Sequence, residues 1–316
     1  MAEAFAPGIM DDRHDLILAA AQDYDWEDLR PFVASLRSTS FAGEIHLFAS
    51  GLSRATVSRL VAASVAITRP TRLRLRVGHR NFAPLRVPDN RILWHLQGAY
   101  WHLGRGFAHF ANDYQAALRR YTAAVSNVDV ARYFWYLDYL SGTLGRYRNV
   151  MLTDVRDVVF LGNPFDFAIG DGVCFFLEDD RISINQQMAN TSWIVQAYGP
   201  RGLVELGSYP ISCSGVTIGP VAAIIRYLDV MVEHLLRLTR QERGIDQGVH
   251  NYILRKNLVS NARIIANGDG PVITVGLMSD ESASRLLASN ASQARVLHQY
   301  DQRAGLAAAM RERFRL

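Results

Sequence analysis

The sequence predicts an α/β fold: a mostly parallel central sheet with helices on both faces. Two observations predict it. Between residues 14 and 68, short apolar runs alternate with amphipathic ones across brief connections, the pattern of β-α-β units joined by right-handed crossovers. Further on, at residues 148–165 (RNVMLTDVRDVVFLGNPF), an apolar strand runs into Asp154 and Asp157 and leaves through a second apolar run. Ligand crevices of open α/β sheets form beyond the carboxyl ends of the strands. Two acids placed there are sited to hold a divalent cation against a diphosphate. The local alternative is a pair of surface turn acids flanking Arg156 and satisfied by nearby hydrogen bonds.

Taken in order, HDLILAAA (14–21) reads as a buried strand. The turn Gln22-Asp23-Tyr24-Asp25 leads into a helix in which Trp26, Leu29, Val33 and Leu36 recur at helical spacing, with Asp25 as N-cap. EIHLFA (44–49) is the second strand, Ser53 caps the second helix, and residues 65–68 form the third strand. The first turn, AAAQDYDW, lacks any G-x-G-x-x-G pattern, which disfavours dinucleotide-dependent dehydrogenases and the common methyltransferases.

From residue 69 to about 128 the pattern loosens into an insertion. It begins with arginines at 69, 72, 74, 76, 80, 86 and 91, read either as a solvated edge strand or as a contact with anionic lipid or an anionic acceptor. His95, His102 and His109 fall seven apart, but Gly98, Gly104 and Gly106 are expected to interrupt the helix that would align them. ARYFWYLDYLSGTL (131–144) is a strongly apolar helix that delivers the chain into the strand before Asp154.

In the second half, VCFFL (173–177) is a strand ending in Glu178-Asp179-Asp180, and residues 183–199 read as a polar, aromatic, mobile loop able to shape an acceptor pocket. PISCSGVTIG (210–219) is a strand, and a long helix follows over about 220–238. GIDQGVHNYIL (244–254) starts a helix with Asp246 near its positive end. RIIANGDGPVITVG (263–276) gives two short strands, and RVLHQYDQR (295–303) gives a strand that delivers His298.

Composition sets the bounds. With 316 residues, 49% hydrophobic and 20% charged, the chain fits a globular protein. No run approaches the roughly 20 apolar residues that cross a bilayer, and the first residues lack the basic and apolar regions of a signal peptide, so the expected compartment is the cytoplasm. Cys174 and Cys213 are the only cysteines and read as buried thiols, too few for a cysteine-based metal site. A net charge of +4 and pI of about 9.2 suit an anionic ligand or a membrane surface and are too small to argue nucleic acid.

At this point the motifs resemble those of GT-A glycosyltransferases, and most closely the retaining glycogenin-like and lipooligosaccharide galactosyltransferase group. The resemblance runs from about residue 14 to 303, with the insertion unmatched. The group's strand ending in D-x-D, followed by an apolar run and a Phe, is similar to LTDVRDVVFLGNPF. Its N-x-G-V segment resembles Cys213-Ser214-Gly215-Val216, its D-Q-x-x-x-N helix start matches Asp246, Gln247 and Asn251, and its C-terminal metal-binding His resembles His298.

The resemblance implies a single GT-A domain over 1–316. A nucleotide-sugar-binding half spans 14–165 with a helical insertion at about 72–128, an acceptor and catalytic half spans 166–303, and 304–316 form a C-terminal helix or tail. It implies a UDP- or GDP-sugar donor, a glycan, lipid or small-molecule acceptor, and Mn²⁺ or Mg²⁺ on Asp154, Asp157 and His298. Ala21, Asp23, Tyr24, Arg132, Asp154, Arg156, Ser214, Gly215 and Arg303 fall on the donor side, and Asp246 and Gln247 on the sugar face as catalytic residues. The sequence departs from the pattern where Arg156 replaces the second carboxylate of D-x-D, so that Asp157 supplies the second ligand or Arg156 neutralises the diphosphate without a metal. The group's Gly and Lys after the terminal His are absent, with Arg303 as the substitute. Three rivals stand beside this reading: an aspartyl phosphatase, whose D-x-D strand comes first in the chain; a nucleotidyltransferase, whose Gly- and Lys-rich first loop is missing; and a non-catalytic nucleotide-sugar binding protein, which Arg156 keeps in play.

Overall fold

The computed structural model describes residues 13–73, 75–77, 80–82 and 91–315. Twelve strands and ten α-helices follow in order among them: β1 (His14–Gln22), α1 (Trp26–Arg37), β2 (Glu44–Ser50), α2 (Arg54–Ala62), β3 (Val65–Thr68), β4 (Leu75–Val77), β5 (Arg80–Phe82), α3 (Arg91–Ala108), α4 (Tyr114–Val125), α5 (Val128–Gly142), β6 (Tyr147–Thr153), β7 (Val158–Phe160), β8 (Cys174–Leu177), α6 (Met188–Leu206), β9 (Ser212–Pro220), α7 (Val221–Leu235), α8 (Ile245–Arg255), β10 (Arg263–Ile265), β11 (Val272–Thr274), α9 (Asp280–Ser289), β12 (Val296–His298) and α10 (Ala304–Arg313).

Seven strands form the central sheet in the order β10-β8-β9-β6-β1-β2-β3, in which β9 alone runs against its neighbours. Helices cover both faces, which is why the strands are apolar along their whole length. Along β1 the side chains divide between them: Leu16 and Leu18 pack with α5 and α7, while Ile17, Ala19 and Ala21 pack against α1 and α2. A smaller sheet, β11-β12-β7, sets β12 antiparallel to β7, the strand that begins one residue after Asp157. That pairing stitches His298 to the acid motif across the length of the chain.

Helix starts follow local chemistry. Asp25 and Asp28 form a reciprocal capping box at α1, and the Ser53 hydroxyl accepts from the Thr56 N–H at α2, as the sequence leads one to expect.

Two expectations are corrected. Residues 183–199 are not a loop: after a short 3₁₀ turn, α6 covers Met188–Leu206 as two helical segments that meet at Gly199, with the Gln187 side chain as the cap of the first. At Gly199 the backbone leaves helical geometry, with a left-handed φ of 72° and a ψ of 179°, so the region is two helical segments meeting at a break before Pro200. The glycines of the insertion do not interrupt α3 either. Gly104 is where α3 presses on α4, since a Cβ there would meet the Tyr121 ring at 1.9 Å. Small size, not helix breaking, explains that glycine.

His102 and His109 are exposed, and His109 stacks on Tyr114, so neither holds a metal with the other; the His95 side chain lies outside the described residues. Arg74 and Arg86 also lie outside them. Cys174 and Cys213 are both buried free thiols. No helix among the described residues is long and apolar enough to cross a membrane.

Candidate active site

Both acids lie just past the carboxyl end of β6, and the strand pairing explains their exposure to a crevice. Thr153 is the last residue paired with β9, and the Asp154 N–H then donates to the Gly215 carbonyl at 2.8 Å. The chain turns there, so Asp154 and Asp157 leave the sheet where β1 also ends. Tyr24, Gln22 and Ala20 from the β1 end line the crevice together with Asp129 and Arg132 of α5, Asp154, Arg156, Asp157 and Arg243.

One oxygen of Asp154, one of Asp157 and one ring nitrogen of His298 lie within 4.8 Å of one another. His298 Nε2 is 3.8 Å from Asp154 Oδ2 and 3.8 Å from Asp157 Oδ2. These separations are too long for good hydrogen bonds and suit donors that share one central cation. Two further observations fit such an ion. His298 is fully buried, yet its Nε2 has no hydrogen-bond partner. Gly215 sits against the same space: a Cβ there would fall 2.5 Å from His298 Cε1, 2.6 Å from His298 Nε2 and 2.6 Å from Asp154 Oδ2. Two carboxylate oxygens and an imidazole nitrogen are donors that a divalent cation accepts. It is the one such group among the described residues.

The acids are electrostatically unequal. Burial alone would raise Asp154, but Arg132 and His298 outweigh it and hold its carboxyl well below the ordinary range. Burial, then the neighbouring carboxylates of Asp154 and Asp301, push Asp157 up to about 6 against the pull of His298. For His298, burial would lower the imidazolium, but Cys213, Asp154 and Asp157 outweigh it and raise it well above the usual histidine range.

Arg132 joins this cluster to a second one. Its buried guanidinium is paired through Nη1 with Asp154 and donates through Nη2 to Asp246 Oδ2 at 2.9 Å. Asp246 also accepts from the Tyr133 hydroxyl at 3.1 Å and the Ser214 hydroxyl at 3.1 Å. It is therefore more than a helix-end acid, and burial pushes it up to about 6 despite Arg132. Beside it, Gln247 Nε2 donates to Asn190 Oδ1 at 2.9 Å and Glu178 Oε1 at 3.2 Å. Asn251 pins α8 to β9 by exchanging hydrogen bonds with the Ser212 backbone at 2.8 and 2.9 Å.

Of the residues singled out in the sequence, Tyr24, Arg132, Asp154, Arg156 and Asp157 meet at the crevice; His298 and Gly215 adjoin the two acids, Asp246 pairs with Arg132, and Ser214 donates to both Asp246 and Gln247. Three are placed otherwise. Ala21 faces the core, because side chains alternate and the crevice side of β1 belongs to Ala20 and Gln22. Asp23, held at a φ of 57°, turns its carboxylate toward Gly51. Arg303 donates to the Gly276 carbonyl at 2.8 Å and lies 3.7 Å from Asp280, away from the residues that line the crevice. Arg156 pairs with Asp301 at 3.0 Å rather than with Asp157, which removes the local ion-pair explanation of Asp157.

Glu178, Asn190 and Arg243 were missed. The end of an apolar strand marked Glu178; Asn190 was hidden by the loop assigned to its helix, and Arg243 carried no signal beyond lying just before Asp246. His250, without a role from sequence, is fully buried between Ser212 Oγ at 2.9 Å and the Tyr227 hydroxyl at 2.8 Å.

Fold and site together define an α/β protein with an arginine-lined crevice and a cation-ready acid-acid-histidine cluster at the carboxyl ends of parallel strands. No family model matches the chain, and no curated protein matches it. Among solved structures it is similar to the apo form of the bifunctional glycosyltransferase WbbM, at 12% identity and a TM-score of 0.48, over 93% of this chain and 47% of that one. The chain thus spans about half the length of that protein.

Proposed function

We propose that this protein is a metal-assisted, retaining glycosyltransferase of the GT-A type that moves a sugar from a UDP- or GDP-sugar to a glycan, lipid or small-molecule acceptor. The observation that carries the reading is the Asp154–Asp157–His298 cluster with its orphaned buried nitrogen, opening onto a crevice lined by arginines. Those three side chains would hold Mn²⁺ or Mg²⁺, which supplies charge to stabilise a departing nucleoside diphosphate.

The chain's own residues divide the remaining work. Tyr24 offers a ring at the end of β1 for the base, and Arg156 and Arg243 offer positive charge to the diphosphate. Ser214 and Gly215 leave close backbone approach beside the cluster. Asp246 and Gln247 form the sugar wall, oriented by Arg132, Tyr133, Glu178 and Asn190. Asp246 is held by three donors and Gln247 is an amide, so neither is a free nucleophile. Retention itself comes from the resemblance to the retaining group; given retention, the lack of a free nucleophile favours same-face attack by the acceptor over a covalent intermediate.

The test is thermal unfolding with a panel of UDP- and GDP-sugars, with and without Mn²⁺. A ligand at about 100 times its dissociation constant stabilises by about 2.7 kcal/mol. A metal-dependent shift with one nucleotide class supports the reading, and NMR of the transferred anomer then reads retention. No shift with any nucleotide sugar would refute it.

A further inference from the structure

The three residues after His298 each touch the acid motif. The Gln299 N–H donates to the Asp157 carbonyl at 2.8 Å, the Tyr300 hydroxyl donates to the Arg156 carbonyl at 3.2 Å, and Asp301 Oδ2 pairs with Arg156 Nη2 at 3.0 Å. Two of these contacts fix the backbone of residues 156 and 157, and the third fixes a side chain. Tyr300 is buried, and Gln299 holds a left-handed φ of 58°, a conformation that a residue other than glycine keeps only where its surroundings impose it. The grip on the motif therefore has a set geometry.

Asp301 has a local role open to it, as the acid in the first turn of the short 3₁₀ helix Tyr300–Gln302. Its contacts point elsewhere. Oδ2 is on Arg156, and Oδ1 is buried without a hydrogen-bond partner, so the carboxylate depends on Arg156 for the balance of its charge. The dependence runs both ways. Burial would lower the Arg156 guanidinium, but Asp301, ahead of Tyr24 and Asp157, outweighs it. Arg156 is 45% exposed and lines the crevice beside Tyr24, Asp154 and Asp157, with the contact to Asp301 made by one of its three nitrogens. A planar guanidinium can meet two phosphate oxygens at once, and holding its long side chain beforehand lowers the entropy lost when it does.

We propose that Asp301 is the positioning residue of a diphosphate clamp, holding the Arg156 guanidinium at the rim of the crevice for the phosphate oxygens. The clamp rests on the reading of the crevice as a diphosphate site. It places the cation inside the acid motif and the carboxylate that steadies it three residues after His298. Ordering one long side chain at the moment of binding weakens affinity about two- to tenfold, and Asp301 removes that loss in advance.

The experiment is calorimetric titration of the full chain with inorganic pyrophosphate, UDP and GDP, each with Mg²⁺, at about 0.5 M salt, where the general effect of one fewer negative charge is screened. Asp301→Ala should weaken pyrophosphate about two- to tenfold and leave the affinity for Mg²⁺ alone unchanged. Asp301→Asn keeps an oxygen for Arg156 and should recover part of the loss; it carries the same comparison if Asp301→Ala does not fold. In an Arg156→Gln background, Asp301→Ala should weaken binding no further, because it acts through the arginine. Unchanged or tighter pyrophosphate binding by the folded Asp301 variants, or an equal loss in the Arg156→Gln background, overturns the proposal. So does an unmodified chain that binds no pyrophosphate. A chain that shows the expected pyrophosphate pattern and binds neither UDP nor GDP supports the clamp and refutes the nucleotide-sugar reading.

Discussion

Replacing Gly215 with alanine tests the cation cluster without removing any of its three donors. The added Cβ would lie 2.5 Å from His298 Cε1 and 2.6 Å from both His298 Nε2 and Asp154 Oδ2. Relief to an ordinary contact of about 3.5 Å requires those side chains to retreat by roughly 1 Å. Metal–ligand distances tolerate only about 0.2 Å, so the cluster cannot hold its geometry. Misoriented ligands cost about 10–100-fold in metal affinity, and with two of three donors displaced the upper end, about 2.7 kcal/mol, is expected. The backbone itself accepts alanine: Gly215 is not among the residues with left-handed φ, and its carbonyl still receives the Asp154 N–H. Local overpacking should cost about 1–3 kcal/mol of stability, leaving a folded protein. Calorimetric titration with Mn²⁺, alone and with a nucleoside diphosphate, measures the loss. A folded Gly215→Ala protein with unmodified Mn²⁺ affinity would refute an ion between Asp154 and His298.

Three further outcomes follow. Asp154→Asn and Asp157→Asn should each lower transfer at least about 100-fold and raise the Mn²⁺ needed; Asp154→Asn should be the more severe because it also unpairs buried Arg132, and equal, mild losses across a Mn²⁺ titration would sink both ligand assignments. Mn²⁺ affinity should rise with pH through about 6, because the ion must displace protons from Asp157, pushed up to about 6, and from His298, raised above its usual range. Calorimetry in buffers of different ionisation enthalpy reads the released protons, and His298→Ala should remove part of the release along with the affinity. Finally, burial lowers His250 to about 3, so between there and an unfolded value of about 6.5 the folded state binds fewer protons than the unfolded one. Its contribution is complete above about 6.5 and is lost on acidification at up to about 1.4 kcal/mol per pH unit; urea midpoints of the unmodified protein and His250→Asn should diverge less at pH 5 than at pH 7, and a constant difference would contradict a neutral buried imidazole.

Much of the fold was legible because the sheet and its helices obey strong local rules. Apolar runs buried on both faces announce β1, β2, β6 and β8, and side-chain caps announce α1 and α2. Asp154, Asp157 and His298 were legible because each sits at a strand end. What failed was whatever depends on tertiary context. Residues 183–199 read as a loop because they are polar and carry no clean apolar period, whereas their helix is held by packing against α8. Gly104 looks like a breaker until Tyr121 is placed beside it. The facing of Ala20 rather than Ala21 into the crevice depends on which side of the sheet the ligand takes, and periodicity alone leaves that open.

The stitching of the small sheet has a consequence for how the protein is made. The Tyr300 hydroxyl donates to the Arg156 carbonyl 144 residues earlier, and His298 meets the two acids in the same neighbourhood. On a ribosome adding about 5–20 residues per second, Asp154 and Asp157 emerge on the order of ten seconds before β12 can join β7. During that interval the nascent chain has the carboxylates but neither the imidazole nor the strand that closes their surroundings. The cluster that could hold a cation is therefore completed late in biogenesis, and a translation product cut short before Val296 would carry most of the sheet and an open, incomplete centre.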